Sequence, residues 1–138
     1  MEYPKIYIGP MSKNVVDAII EFSDGTGNKI GLIPSRRQVE HYGGYVNNWT
    51  TEEFSNYSNK TKKSVLLLKR DHSGPGQGYS YDDGYESLKE DCKYLNLIHI
   101  DPWKKYPKYE DGLKWTIDMI KFCYNQNPSI EYEVGTEE

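Results

Sequence analysis

Asp71 and His72 stand side by side just after a run of aliphatic residues, Val65-Leu66-Leu67-Leu68. A carboxylate beside an imidazole can supply a base and a metal ligand. At a strand end, adjacent side chains diverge, one inward and one toward the rim. Asp-His pairs are frequent by chance, so the position after an apolar run gives this one its weight. The alternative is a structural pair, with Asp71 accepting backbone N–H groups and His72 packing under the glycine-rich segment that follows. Asp101, after Leu97-Ile98-His99-Ile100, is a second polar group on the same mouth or a turn residue, since Asp-Pro favours turn initiation. Arg36-Arg37-Gln38 closes another apolar run, where arginine suits bidentate recognition of a carboxylate or phosphate. The alternative for these arginines is ion pairing to Glu40 or to acids on neighbouring loops. Glu131 and Glu133 are two apart and share one strand face, as in an edge strand or the lining of a polar site. Gly135 and the charged ends of the other runs favour the site. His99, between two isoleucines, is expected to be a satisfied structural histidine, and His41 a solvated one.

These residues all sit where apolar runs end. Ile6–Ile8, Ile30–Ile33, Val65–Leu68, Leu97–Ile100 and Ile130–Val134 recur about every 25–35 residues, with helical patterns between them. The rhythm predicts α/β architecture with a parallel sheet. Expected strands cover residues 5–9, 29–33, 64–69, 95–100 and 130–134. Ser12 caps a helix to about Phe22, striped by Val15, Val16, Ile19 and Ile20. Thr50-Thr51-Glu52-Glu53 carries a capping box and opens a second helix. A third runs from Asp82 or Asp83 to Tyr94. The fourth covers residues 109–125, with Leu113, Ile117, Ile120 and Tyr124 at helical spacing. The expectation is a partial (β/α)8 TIM barrel of about five parallel strands with intervening helices. Residues 1–138 would be the N-terminal part of one incomplete domain, because a whole barrel needs about 250 residues.

Composition narrows the function. The 138 residues carry a formal net charge of −4 and are 28% charged, so no basic excess points to nucleic acid or to an anionic membrane. No stretch of about 18 apolar residues offers a membrane span, and the N-terminus lacks a signal-peptide pattern, so the cytoplasm is the default location. Cys92 and Cys123 have no metal-ligand spacing and are expected to be reduced packing residues. Many of the 13 tyrosines fall in loops, as amphipathic surface residues or as sugar-stacking platforms. Gly74-Pro75-Gly76-Gln77-Gly78 lacks either glycine-rich phosphate-binding pattern, and Asp82-Asp83 would compete with an anion at the next helix start. A flexible cover over the site fits this segment better.

The combined motifs resemble the class II aldolase superfamily and, more closely, its tagatose-bisphosphate aldolase accessory (non-catalytic) subunit family. Ser35-Arg36-Arg37-Gln38-Val39-Glu40-His41-Tyr42-Gly43-Gly44-Tyr45 is similar to the family's S-x-x-Q-V-[DE]-x-x-G-G-Y. Thr50–Phe54 matches T-x-x-x-F, Asp71–Pro75 matches D-H-x-G-P, Ile98–Asp101 matches I-H-x-D, and Glu133–Glu137 matches E-x-G-T-E. The resemblance covers about Gly31 to Glu138. It implies carbohydrate metabolism, as an accessory subunit supporting a catalytic aldolase subunit. The alternative is a metal-dependent sugar-phosphate aldolase or sugar epimerase in its own right. Asp71 then matches the proton-transferring aspartate, His72 the first zinc-ligand histidine, and Glu133 a catalytic-site carboxylate. Arg36, Arg37, Gln38 and Asp101 are the expected substrate-binding residues for a sugar or sugar phosphate. The implied cofactor is Zn2+ or another divalent metal. The family's other two metal histidines lie on later strands, so zinc binding by this chain is expected to be weak. A partner, either the catalytic subunit or a complementary half barrel, would complete the fold. Arg36-Arg37 and Asp101-Pro102-Trp103 depart from the family's usual forms, which implies a divergent branch with a different sugar.

Overall fold

The computed structural model describes residues 3–60 and 66–135. The expected start of the third strand at Ser64-Val65, and Thr136-Glu137 of the last motif, lie outside the described residues. In chain order the elements are β1 (Tyr7–Ile8), α1 (Lys13–Thr26), β2 (Gly31–Leu32), α2 (Thr51–Ser58), β3 (Lys69–Ser73), α3 (Tyr85–Tyr94), β4 (Leu97–Ile100), α4 (Tyr109–Gln126) and β5 (Glu131–Val134).

The strands form two small parallel sheets, β1-β2 and β3-β4-β5. This corrects the expected partial TIM barrel of five parallel strands: among the described residues the architecture is α/β, with sheets of two and three strands and four helices. The physical reason lies between β2 and β3. Pro34 has no N–H to donate, and the chain turns at Ser35 with Gln38 N–H bonded back to Ser35 O. Among the described residues, strand pairing across that seam is reduced to isolated parallel bridges, Leu32 to Leu68 and Ser35 to Asp71. The expected five-residue first and second strands shrink to two residues each.

The helices follow their caps. Ser12 accepts from Val15 N–H at the start of α1, and Gly27 ends it at φ 73°, donating to Ser23 O. Val16 and Ile19 bury, as their spacing predicts. Thr50 and Glu53 form the capping box of α2. In α4 the buried face is not the aliphatic one. Trp115, Met119 and Cys123 pack inward, with Ile120 of the expected stripe partly buried against them, while Leu113, Ile117 and Tyr124 are exposed. Gly112 decides the rotation: a Cβ there would land on the Trp103 ring, so this side of the helix meets the Trp103 loop. Both cysteines are free and buried in this α3–α4 core.

Among the described residues, no helix is long and apolar enough to cross a membrane.

Candidate functional site

β3 carries Asp71 and His72 inside the strand, not beyond its end. Its register against β4 shifts between Arg70 and Ser73, and His72 takes φ 44°, in the left-handed region. A strand residue rarely adopts that conformation unless its surroundings fix it. The irregularity re-aims the side chain, as β-bulges do. Asp71 and His72 therefore converge, where a regular strand would send them to opposite faces. His72 Nε2 lies 3.7 Å from Asp71 Oδ1.

His99 completes the group. It stands on β4 and is in register with Glu133 of β5. Its Nδ1 lies 3.7 Å from the same Asp71 Oδ1, and its ring centroid is 4.9 Å from that of His72. His99 Nε2 is buried with no hydrogen-bond partner among the described residues, against the backbone of Gly135. The expected satisfied structural histidine is thus a member of the cluster. Isoleucine on both sides hid it in the sequence; its placement two residues before Asp101, which follows the same strand, was the available signal.

One ligand-capable atom from each of Asp71, His72 and His99 lies within 4.8 Å of the others. Atoms bound to a tetrahedral zinc at about 2.0–2.2 Å stand about 3.3–3.6 Å apart. The two 3.7 Å spacings come close to that, and two imidazoles with a carboxylate are a suitable donor set. The residues fit a divalent ion. Burial pushes the Asp71 carboxyl up, but the neighbouring His99, His72 and Lys69 outweigh it, and the net direction is down.

Asp101 is fully buried and faces His72, with Nδ1 to Oδ2 at 2.8 Å. Gln77 Nε2 donates to the same oxygen at 2.7 Å, and Trp103 N–H donates to Oδ1. Glu133 is half exposed and bonded to Lys69. Burial draws the Lys69 amine down, although Asp71 opposes this. β5 is the edge of its sheet, and Glu131 and Glu133 are both exposed.

The expected substrate-binding arginines separate. Arg36 is fully buried. Its Nε donates to Glu40 at 2.5 Å, Nη1 donates to Gly74 O at 2.6 Å, and Nη1 and Nη2 both donate to Asp82. Burial draws the Arg36 guanidinium down, but Asp82 and Glu40 outweigh it and hold it charged. Its donors turn inward and tie down both ends of the 74–82 loop, which is latched at its base rather than loose. Arg37 is exposed and lies over the Tyr79 ring at 6.0 Å. Gln38 is buried; it accepts from Ser35 N–H and donates to Pro10 O. His41 is bonded to Glu40. Sequence reasoning passed over Arg70, which is fully buried. It pairs with Asp91 through Nε at 2.9 Å and Nη2 at 2.7 Å, and donates to the carbonyls of Pro34, Ser35 and Val39. The two arginines together hold the ground under Asp71 and His72.

No family model and no curated protein matches the chain. Among solved structures it is similar to the crystal structure of a probable tagatose 6 phosphate kinase from Sinorhizobium meliloti 1021, at 17% identity and a TM-score of 0.77. The match covers 98% of this chain and 39% of that one. The likeness shows a shared fold over that part.

Proposed function

We propose that this chain supplies the proton-transferring, ligand-bearing part of a metal-dependent enzyme of sugar or sugar-phosphate metabolism, of the aldol-cleaving or epimerising kind. The observation that carries this is the convergence of Asp71, His72 and His99. The name of the similar solved structure supports a sugar phosphate as the substrate class. The motif resemblance supports carbon-skeleton chemistry.

His72, His99 and Asp71 Oδ1 would hold the ion, which leaves Asp71 Oδ2 as the atom that can take a proton. A bound divalent ion would supply Lewis-acid polarisation of a sugar carbonyl. Asp71 takes the hydroxyl proton during cleavage or epimerisation. An aspartate is ionised at neutral pH, so its carboxylate is in the accepting form. Asp101 holds His72 in orientation, and the latched 74–82 loop covers that contact.

The test is turnover of ketose phosphates and bisphosphates by the purified chain with Zn2+ or Co2+, compared with Asp71→Asn. Loss of about 10²-fold or more in the variant is expected. A chain that turns over nothing alone but raises the activity of a class II aldolase catalytic subunit fits a second reading, the accessory subunit. The Ser35–Tyr45 and Asp71–Pro75 motifs favour that reading. Absence of both turnover and micromolar metal binding sinks the first.

A further inference from the structure

We propose that Gly135 is a positioning residue for His99: its lack of a side chain leaves the space that the Nε2 corner of the ring occupies, so that His99 meets an ion through Nδ1. The inference rests on reading Asp71, His72 and His99 as an ion site and deepens it, by naming the donor atom on His99 and the residue that selects it.

β4 and β5 run in parallel register, with His99 opposite Glu133 and Ile100 opposite Val134. Gly135 comes next, and its N–H donates to Ile100 O at 3.1 Å. That bond carries the Gly135 Cα alongside the His99 ring. A Cβ on Gly135 would fall 2.1 Å from His99 Nε2, and 3.0 and 3.2 Å from Cε1 and Cδ2, the carbons bonded to that nitrogen. The Nε2 corner therefore fills the volume of the missing side chain. Nε2 is buried against that backbone, which leaves no place for an ion at the about 2.0–2.1 Å of a zinc–imidazole bond. Nδ1 turns the other way, to 3.7 Å from Asp71 Oδ1. With Nδ1 on the ion, the ring hydrogen stays on Nε2.

Space is what the position demands. Gly27, Gly43, Gly76 and Gly84 take positive φ and Gly135 does not, so alanine can adopt the Gly135 backbone. What alanine cannot do is share its volume with the ring. An approach of 2.1 Å lies far inside van der Waals contact, and a small shift does not relieve it. The strand end is also held in place. Trp103 Nε1 donates to Gly135 O, and the Trp103 ring stacks on Tyr109 at the start of α4. The His99 ring is then the part that gives way, by rotating and taking Nδ1 away from Asp71.

The experiment is 15N NMR of the histidine rings in the full chain, with and without Zn2+. Zinc titration calorimetry and thermal melts of the metal-free protein accompany it. The proteins are wild type, Gly135→Ala, His99→Ala, the double variant, and Gly25→Ala, whose Cβ would meet nothing within 4 Å. In wild type, zinc is expected to move the His99 Nδ1 resonance and to leave Nε2 protonated. Gly135→Ala is expected to weaken zinc binding about 10- to 100-fold, with His99 no longer responding to the ion, while Gly25→Ala binds as wild type does. Gly135→Ala should lower Tm in the wild-type background and not in the His99→Ala background, where the ring is gone. A Gly135→Ala chain that folds only beside His99→Ala shows the same coupling. Zinc bound at His99 Nε2 overturns the proposal. So does a Gly135→Ala chain with wild-type affinity and His99 shifts, or one destabilised equally in both backgrounds. If zinc binds none of the proteins, the ion reading falls, and the melts alone decide whether Gly135 sets the ring.

Discussion

Asp91→Asn tests the buried ionic support beneath the site. Arg70 has no exposed surface, and Asp91 meets it with both oxygens, at 2.9 and 2.7 Å. The substitution preserves shape but removes the negative charge. It also turns one amide N–H₂ toward a guanidinium N–H, so one of the two bonds becomes a donor–donor contact. Breaking a buried pair from one side costs about 3–5 kcal/mol, because the remaining charge is left uncompensated. Two features place this case near the lower end. Arg70 keeps three backbone carbonyls, and Glu40 is close enough to interact with its charge. The expected loss is about 3 kcal/mol, which for a chain of this size lowers Tm by roughly 6–12 °C. Urea unfolding followed by circular dichroism measures it, with an unchanged m-value showing that the unfolded state is not the cause. A loss below about 1 kcal/mol would refute the reasoning, since only a solvated pair is that weak.

The remaining predictions concern the cluster and its supports. His99→Leu should leave stability equal or up to about 1 kcal/mol higher, because it removes a buried unpartnered nitrogen, while zinc affinity falls at least tenfold; a sharp drop in Tm would make His99 structural. Gly112→Ala drives a Cβ into the Trp103 ring and should cost about 1–3 kcal/mol by overpacking, read from urea melts. Asp71 has a folded pKa below its unfolded value, so its stabilising contribution is complete above the ordinary carboxylate range. It fades as pH falls through about 4 and is lost below the depressed folded value. Asp71→Asn should flatten that acid limb of stability measured between pH 3 and 7, and an unchanged limb would contradict the assigned shift. The effect is small, because the side chain is 35% exposed.

What the sequence could show was set by how local the determining interaction is. The caps of α1 and α2 depend on residues three apart, and Ser12 and the Thr50/Glu53 box fall where the pattern puts them. The face of α4 depends on Trp103 meeting Gly112, a contact across a loop, and of the stripe that periodicity chose, Ile120 packs against the core while Leu113, Ile117 and Tyr124 do not. The pairing of Arg36 with Glu40 is four residues long and was open to view as one alternative; its bonds to Gly74 and Asp82 were not. The five-stranded expectation failed at Pro34, a visible residue whose missing N–H matters only once two strands are known to be neighbours.

The site turns on the least local feature of all. Alternation along β3 separates Asp71 from His72, and that rule is sound for a regular strand. A single residue at φ 44° cancels it, and nothing in the identity of His72 announces that conformation. The partners that hold it, Asp101 and Gln77, arrive from β4 and from a glycine-rich loop. The same loop that reads as a flexible cover in sequence is fixed by a buried arginine 38 residues earlier than its first contact, Gly74. Strain at His72 and burial of Arg36 both cost stability on their own. Their coincidence at one mouth means that the cost is met by one network, and that loosening Arg36, Gln77 or Asp101 should be felt at His72 before it is felt in the core.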